Sequence, residues 1–154
     1  MTATQVLKRD HNALKRLFAE FRRTPVRAHR KRGELLTRIA SELTRHARVE
    51  AEIFYPALGR VLGTAEGLAE ARSDHDAVAM FLADALATDA TDPALSDRVN
   101  ELRELVVAHA SEEEDELFPL AETLPQAELV RLGREMLARK DDLTGPLTSG
   151  ATAA

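Results

Sequence analysis

Six residues of this 154-residue chain combine imidazole and carboxylate at spacings that suit a buried metal pair. His46 and Glu50 form one His-x-x-x-Glu unit, and His109 and Glu113 form a second. His11 and His75 each follow an aspartate, in Asp10-His11-Asn12 and Asp74-His75-Asp76. The two sets repeat: His75 lies 64 residues after His11, while His109 and Glu113 lie 63 residues after His46 and Glu50. Residues four apart on a helix point about 40° from each other, so each His–Glu pair shares a face. An unpaired carboxylate on an inward face would be costly or stay protonated, and cations at the same depth compensate it. Neutral imidazole binds iron, zinc, copper and nickel, and carboxylate is a hard ligand able to bridge two ions. With no sulfur in the set, four nitrogens and two carboxylates suit a pair of irons bridged by Glu50 and Glu113. The donor types alone also admit zinc, and two-metal hydrolytic sites exist.

Such a set needs four helices to carry it, and the apolar residues recur at intervals of three and four throughout. Residues 4–23 align Leu7, His11, Leu14, Phe18 and Phe21; residues 30–55 align Leu36, Ile39, Leu43, His46, Glu50 and Ile53. Residues 64–87 align Leu68, Ala71, His75, Val78 and Leu82. A fourth helix opens at Asp92-Pro93, read as an N-cap followed by proline at the first helical position. It carries Val99, Leu102, Val106, His109, Glu113 and Leu117. A shorter helix follows Pro125 and runs to residue 140 or so. Breakers at Thr24-Pro25, at Gly59 with Gly63 and across 88–93 sit where antiparallel connections belong. The expected architecture is all-α, an up-down-up-down four-helix bundle with a short C-terminal fifth helix. Residues 1–143 read as one domain, and 144–154, rich in Gly, Pro, Ser, Thr and Ala, as a flexible C-terminal tail. The halves match outside the histidines too. Phe54-Tyr55-Pro56 and Leu117-Phe118-Pro119 stand 63 residues apart, each with a proline expected to interrupt or end the helix just past the glutamate. A duplicated helix hairpin about a pseudo-twofold axis accounts for this and brings the two half-sites face to face.

Composition narrows the function. Hydrophobic residues are 44% and charged residues 31%, a normal globular balance. The absence of cysteine removes disulfides, thiolate metal sites and a cysteine nucleophile. Aromatics at 4% with no Trp, and a net charge of −5, argue against binding to nucleic acid or an anionic membrane. Residues 1–9 have no apolar leader core, and no stretch approaches the ~20 apolar residues of a membrane span. The expected location is cytoplasmic.

Over residues 4–123 the pattern H…HxxxE…H…HxxxE is filled by His11, His46, Glu50, His75, His109 and Glu113. It resembles the hemerythrin-like proteins of the HHE cation-binding group. The resemblance implies a non-haem di-iron centre: two Fe ions, oxo- or carboxylate-bridged, with the four histidines as terminal ligands. Oxygen-carrying hemerythrins place HxxxH on the third helix, whereas His75 is followed four residues on by Ala79. They end on HxxxxD, whereas His109 is followed by Glu113 at four and Glu114 at five. The second bridge therefore lies between Glu113 and Glu114, with Glu113 favoured as the repeat-mate of Glu50. One histidine fewer leaves a more open centre, which favours peroxide, superoxide or nitric oxide chemistry over simple oxygen carriage. The leading expectation is catalase-like disproportionation of hydrogen peroxide in oxidative-stress defence. The alternative is a non-enzymatic module that binds dioxygen or nitric oxide, or senses or stores iron. The partner is a small molecule in either case.

The remaining residues carry plainer readings. A lone histidine on an apolar stripe is ordinarily a satisfied core residue, but four of them at a duplicated spacing are not. Asp10 and Asp74 are either acceptors orienting imidazoles or solvated carboxylates, since adjacent helical residues point about 100° apart. Phe54, Tyr55, Leu117 and Phe118 read as core or pocket lining, and Tyr55 also as a ligand or radical-quenching group. The basic run 27–32 around His29 and the acidic run 112–116 around an inward Glu113 read as solvated.

Overall fold

The computed structural model describes residues 1–63 and 65–153, excepting the side chains of 65, 66 and 145–153. The first helix, α1 (Ala3–Arg23), starts on a reciprocal cap. The Thr2 hydroxyl accepts from the Gln5 amide at 3.3 Å, and the Gln5 side chain accepts from the Thr2 amide at 2.9 Å. It stops at Thr24, whose hydroxyl donates to the Glu20 carbonyl at 2.7 Å, because a residue before proline is driven out of helical geometry. Next come α2 (His29–Val49), a π turn over Glu50–Phe54, and α3 (Tyr55–Leu62). Gly63 ends α3 in the left-handed region at φ 62°, which a glycine adopts without strain. Then follow α4 (Ala65–Leu86), α5 (Leu95–Glu112), a second π turn over Glu113–Leu117, α6 (Phe118–Ala121) and α7 (Gln126–Ala153). The first four long helices close a ring in the order α1, α2, α4, α5, and α7 lies along α1 and α2. The expected all-α bundle with an added C-terminal helix is the observed one.

Two local expectations are corrected and one is made specific. Each proline interrupts its helix, as one of the two expected outcomes, and does so through a π turn. Tyr55 donates its N–H five residues back to the Glu50 carbonyl, and Phe118 does the same to Glu113. The extra residue in each turn lets the chain pass a proline that has no N–H and crowds the preceding turn. Helix α5 opens two residues later than expected. Asp92 instead shapes a turn, accepting the Ala94 amide on its side chain at 2.9 Å and the Leu95 amide on its carbonyl at 3.1 Å. The last helix is long, not short: its backbone continues from Gln126 to Ala153. The tail expected beyond residue 144 lies, for its side chains, outside the described residues.

The core divides into two apolar blocks. One gathers Leu7, Phe54, Leu58, Phe118, Leu132 and Met136; the other gathers Leu14, Phe18, Ile39, Leu43, Leu102 and Val106. The histidines and glutamates form the layer between them, each falling where its stripe passes from one block to the other. A fully buried Leu, Ile or Phe contributes about 1.5–3 kcal/mol, so two such blocks can carry a costly polar layer. Helix α7 completes the first block by close approach. A Cβ on Gly133 would fall 2.3 Å from the Met1 carbonyl oxygen, so only glycine permits this docking. No helix among the described residues is long and apolar enough to cross a membrane.

Candidate metal centre

All six expected residues converge on one layer. His11, His46, His109, Glu50 and Glu113 are buried, and His75 is nearly so. The imidazoles form two pairs of matching geometry. His11 and His46 have ring centroids 4.9 Å apart, His75 and His109 5.0 Å apart, and both pairs meet edge-on at 69°. The duplication read from the spacing is thus present in three dimensions.

Each carboxylate spans both pairs. Glu50 places Oε1 3.0 Å from His46 Nε2 and Oε2 2.7 Å from His75 Nε2. Glu113 places Oε1 3.4 Å from His11 Nε2 and Oε2 3.3 Å from His109 Nε2. The donor atoms of His11, His46, Glu50 and Glu113 lie within 4.8 Å of one another, as do those of Glu50, His75 and His109. His11 Nε2, Glu50 Oε1 and Glu113 Oε1 are buried and, although these close neighbours face them, make no well-aligned hydrogen bond among the described residues. Such orphaned lone pairs on converging groups are what a cation would satisfy, so the residues fit a metal. Glu114 plays a different part from Glu113: its Oε1 meets His11 Nδ1 at 2.9 Å, on the side of the ring away from the layer.

The same outward anchoring recurs. Asp10 Oδ2 lies 3.3 Å from His46 Nδ1, and Asp74 Oδ2 lies 3.1 Å from His109 Nδ1. Both aspartates orient imidazoles, which decides between the two readings the sequence left open. A carboxylate on Nδ1 fixes which nitrogen faces inward. Among the described residues His75 has no such partner. By the repeat its anchor would be the mate of Glu114, and that position is Ala51. One imidazole of the four is therefore less constrained, and it borders a cavity of about 320 Å³. All four histidines line this cavity, together with Leu14, Leu43, Val78, Leu82 and Val106, with Ala51 and Ala79 on its wall.

Two residues besides the six support the layer: Tyr55, which the sequence placed in the core or pocket lining, and Lys140, which it did not single out. Tyr55 is fully buried, and its hydroxyl donates to Glu113 Oε2 at 2.6 Å while lying 3.2 Å from Glu50 Oε2. It also lies 3.2 Å from His75 Nε2 and 3.3 Å from His109 Nε2. Its repeat-mate Phe118 has no hydroxyl, so the halves differ chemically. Lys140 of α7 puts Nζ 2.5 Å from Asp10 Oδ2, backing the anchor of His46. Its signal was its place on the α7 stripe of Leu129, Leu132, Met136 and Leu143, where a lysine has no business unless it is paired.

The electrostatics follow from this crowding. Burial pulls the His46 imidazole down, but Glu50, Asp10 and Glu113 outweigh it and push it up to about 10. His109 is opposed by burial in the same way and is pushed up to about 11 by Glu113 and Glu50. Glu50, despite its burial, is held well below the usual carboxylate range by His46, His109 and His75. Burial would raise Asp10, but His46 and Lys140 hold it below its ordinary value. Burial and the two glutamates together push the Tyr55 hydroxyl upward, so it keeps its proton.

Comparison with known proteins gives a consistent result. A family model described as "Hemerythrin HHE cation binding domain" matches residues 2–121. The uncharacterized protein Rv2633c of Mycobacterium tuberculosis is 33% identical over 147 residues, spanning 94% of this chain and 89% of the relative. The crystal structure of an Rv2633c homolog from Mycobacterium kansasii, a "Hemerythrin HHE cation binding domain-containing protein", matches with a TM-score of 0.85. That match is 31% identical and covers 95% of this chain and 89% of the other. A protein of Nostoc sp. named as a DNA nickase is 27% identical over 155 residues, but this chain spans only 43% of its length.

Proposed function

This chain belongs to the hemerythrin HHE cation-binding domain family, and from that footing we propose that its layer holds two iron ions and disproportionates hydrogen peroxide. His11 and His46 would hold one ion and His75 and His109 the other, and Glu50 and Glu113 would each offer one carboxylate oxygen to either side. The observation that carries this reading is the division of each buried carboxylate between two imidazole pairs. When bound, the iron pair supplies the two-electron change by which two hydrogen peroxide molecules become one dioxygen and two waters.

The chain's own residues set the conditions. Asp10, Asp74 and Glu114 hold three imidazoles with Nε2 inward. Tyr55 keeps a protonated hydroxyl within reach of both glutamates, a hydrogen-bond donor fixed at the side of the layer that His75 and His109 face. The cavity beside His75 has mainly apolar walls and opens past the exposed Ala51, Asp76 and Ala79, a route that suits passage of dioxygen. That cavity also supports the second reading, reversible binding of an apolar diatomic such as dioxygen or nitric oxide. An oxygen electrode separates the two. Iron-loaded protein given peroxide is expected to evolve one dioxygen for every two peroxides consumed over many turnovers. Stable, reversible ligand spectra with negligible dioxygen release would replace the enzyme by the binding module.

Lys140 gives a second test, because it reaches the centre only through Asp10. Lys140→Met keeps an apolar stem of similar length on α7 but takes the ammonium from the buried Asp10 carboxylate, leaving it His46 and a distant Arg9. Loss of an outer partner of this kind typically weakens metal affinity by about 10–100-fold. Competition against a chelator is expected to show that loss with the helical content unchanged. Unaltered metal retention would mean that the Lys140–Asp10 contact serves only to dock α7.

A further inference from the structure

Two helical turns along α1 from His11, the far end of the bundle holds a second concavity. Its central residue is Arg32, expected to be solvated as part of the basic run yet only 2% exposed. One guanidinium nitrogen, Nη2, donates to Ser96 Oγ at 2.6 Å, and the guanidinium carbon lies 4.5 Å over the Phe21 ring. Nε and Nη1 are buried with no acceptor, and no carboxylate pairs with Arg32 among the described residues. A buried cation with neither counter-charge nor a full set of acceptors is expensive, and such an exception calls for a cause.

The surroundings indicate what would satisfy it. Arg32 lines a cavity of about 270 Å³ between the end of α1, the start of α2 and the first turns of α5. Arg22 and Arg103 stand on the same rim, and neither makes an ion pair among the described residues. Against these three guanidiniums the wall carries one acidic side chain, the exposed Asp97. Helix α5 begins at the cavity without a side-chain cap, so its first amides add partial positive charge. Phe18, Phe21, Val26 and Val99 give the lining an apolar part, beside the polar Thr24 and Asn100.

We propose that this cavity binds a small organic carboxylate. Its oxygens pair with Arg32 and Arg103 and accept from Ser96, whose hydroxyl proton is free because its oxygen accepts from Arg32. Its apolar body lies against Phe18 and Val99. An arginine fork matches a carboxylate in shape as well as charge, and the apolar lining selects for a body that inorganic phosphate lacks. The site shares no residue with the metal layer.

Calorimetric titration of the full-length, metal-loaded protein tests this with three probes: benzoate, inorganic phosphate and the neutral benzyl alcohol. Saturable one-to-one binding of benzoate is expected, weaker binding of phosphate, and none of benzyl alcohol. Arg32→Met should weaken benzoate at least about thirtyfold, as loss of a buried charged partner does. Arg103→Gln, at a half-buried rim position less critical to folding, should weaken it about two- to fivefold, with metal content unchanged. The proposal is overturned if benzoate gives no saturable heat, or if benzyl alcohol binds as well. It is overturned equally if phosphate binds more tightly than benzoate, or if benzoate affinity is unchanged in Arg103→Gln. Should Arg32→Met fail to fold, the Arg103→Gln result decides.

Discussion

A Glu50→Ala chain is expected to emerge from iron-supplemented cells with little bound metal and no peroxide turnover. Glu50 is fully buried, and its two oxygens face His46 on one side and His75 on the other. The substitution therefore removes an oxygen from both halves at once, where loss of one histidine would spare half the layer. It also strips His46, His75 and His109 of a shared counter-charge. Removing one partner from a buried charge cluster costs about 3–5 kcal/mol, so the metal-free variant should melt well below the metal-free parent. Metal analysis and melting of the same preparation read out both effects. A variant with a full metal complement would show that Glu50 does not bridge.

The second large effect is a coupling of metal to protons. In the metal-free protein His46 and His109 titrate at about 10 and about 11 because buried glutamates face them. Both are therefore imidazolium at neutral pH, whereas a metal needs neutral imidazole. Loading at pH 7 should release about two protons per chain from these histidines, and affinity should rise with pH. Calorimetry in buffers of different ionisation heat measures the release directly, and loading without proton release would contradict the pairing. The stability of the metal-free protein carries the opposite sign. Folding raises these two pKa values above the ordinary 6.5. Their contribution is thus complete below that pH and is lost as pH climbs through about 10 and 11. Glu50 acts at the other end: its value is depressed, so its contribution is present above 4.5 and lost as pH falls through the folded value. Metal-free protein should therefore lose melting temperature on the alkaline side while metal-loaded protein gains from tighter binding.

The parts of this centre that were legible in the sequence are those that obey helical period. His11, His46, His75 and His109 continue apolar stripes, so their inward direction follows from residues on either side of them. The 63-residue repeat then made Glu113 the mate of Glu50, and Glu113 is the glutamate that spans both imidazole pairs. What escaped depends on small rotations or on distant segments. Whether Asp10 and Asp74 reach an imidazole turns on the angle between neighbouring helices, which one strand of sequence does not contain. The two π turns add a residue to the ladder without altering composition, so the prolines read as breaks. Lys140 and Arg32 were both passed over because charged residues are presumed solvated. Each sits on an otherwise apolar stripe, and the stripe was the better guide.

The most direct test of the account is the metal content of purified, untagged protein from iron-supplemented cells, expressed as atoms per chain. The account predicts about two irons per chain, one for each imidazole pair. Protein that is fully folded with no metal bound would contradict it, and zinc in place of iron would contradict the redox function built on it.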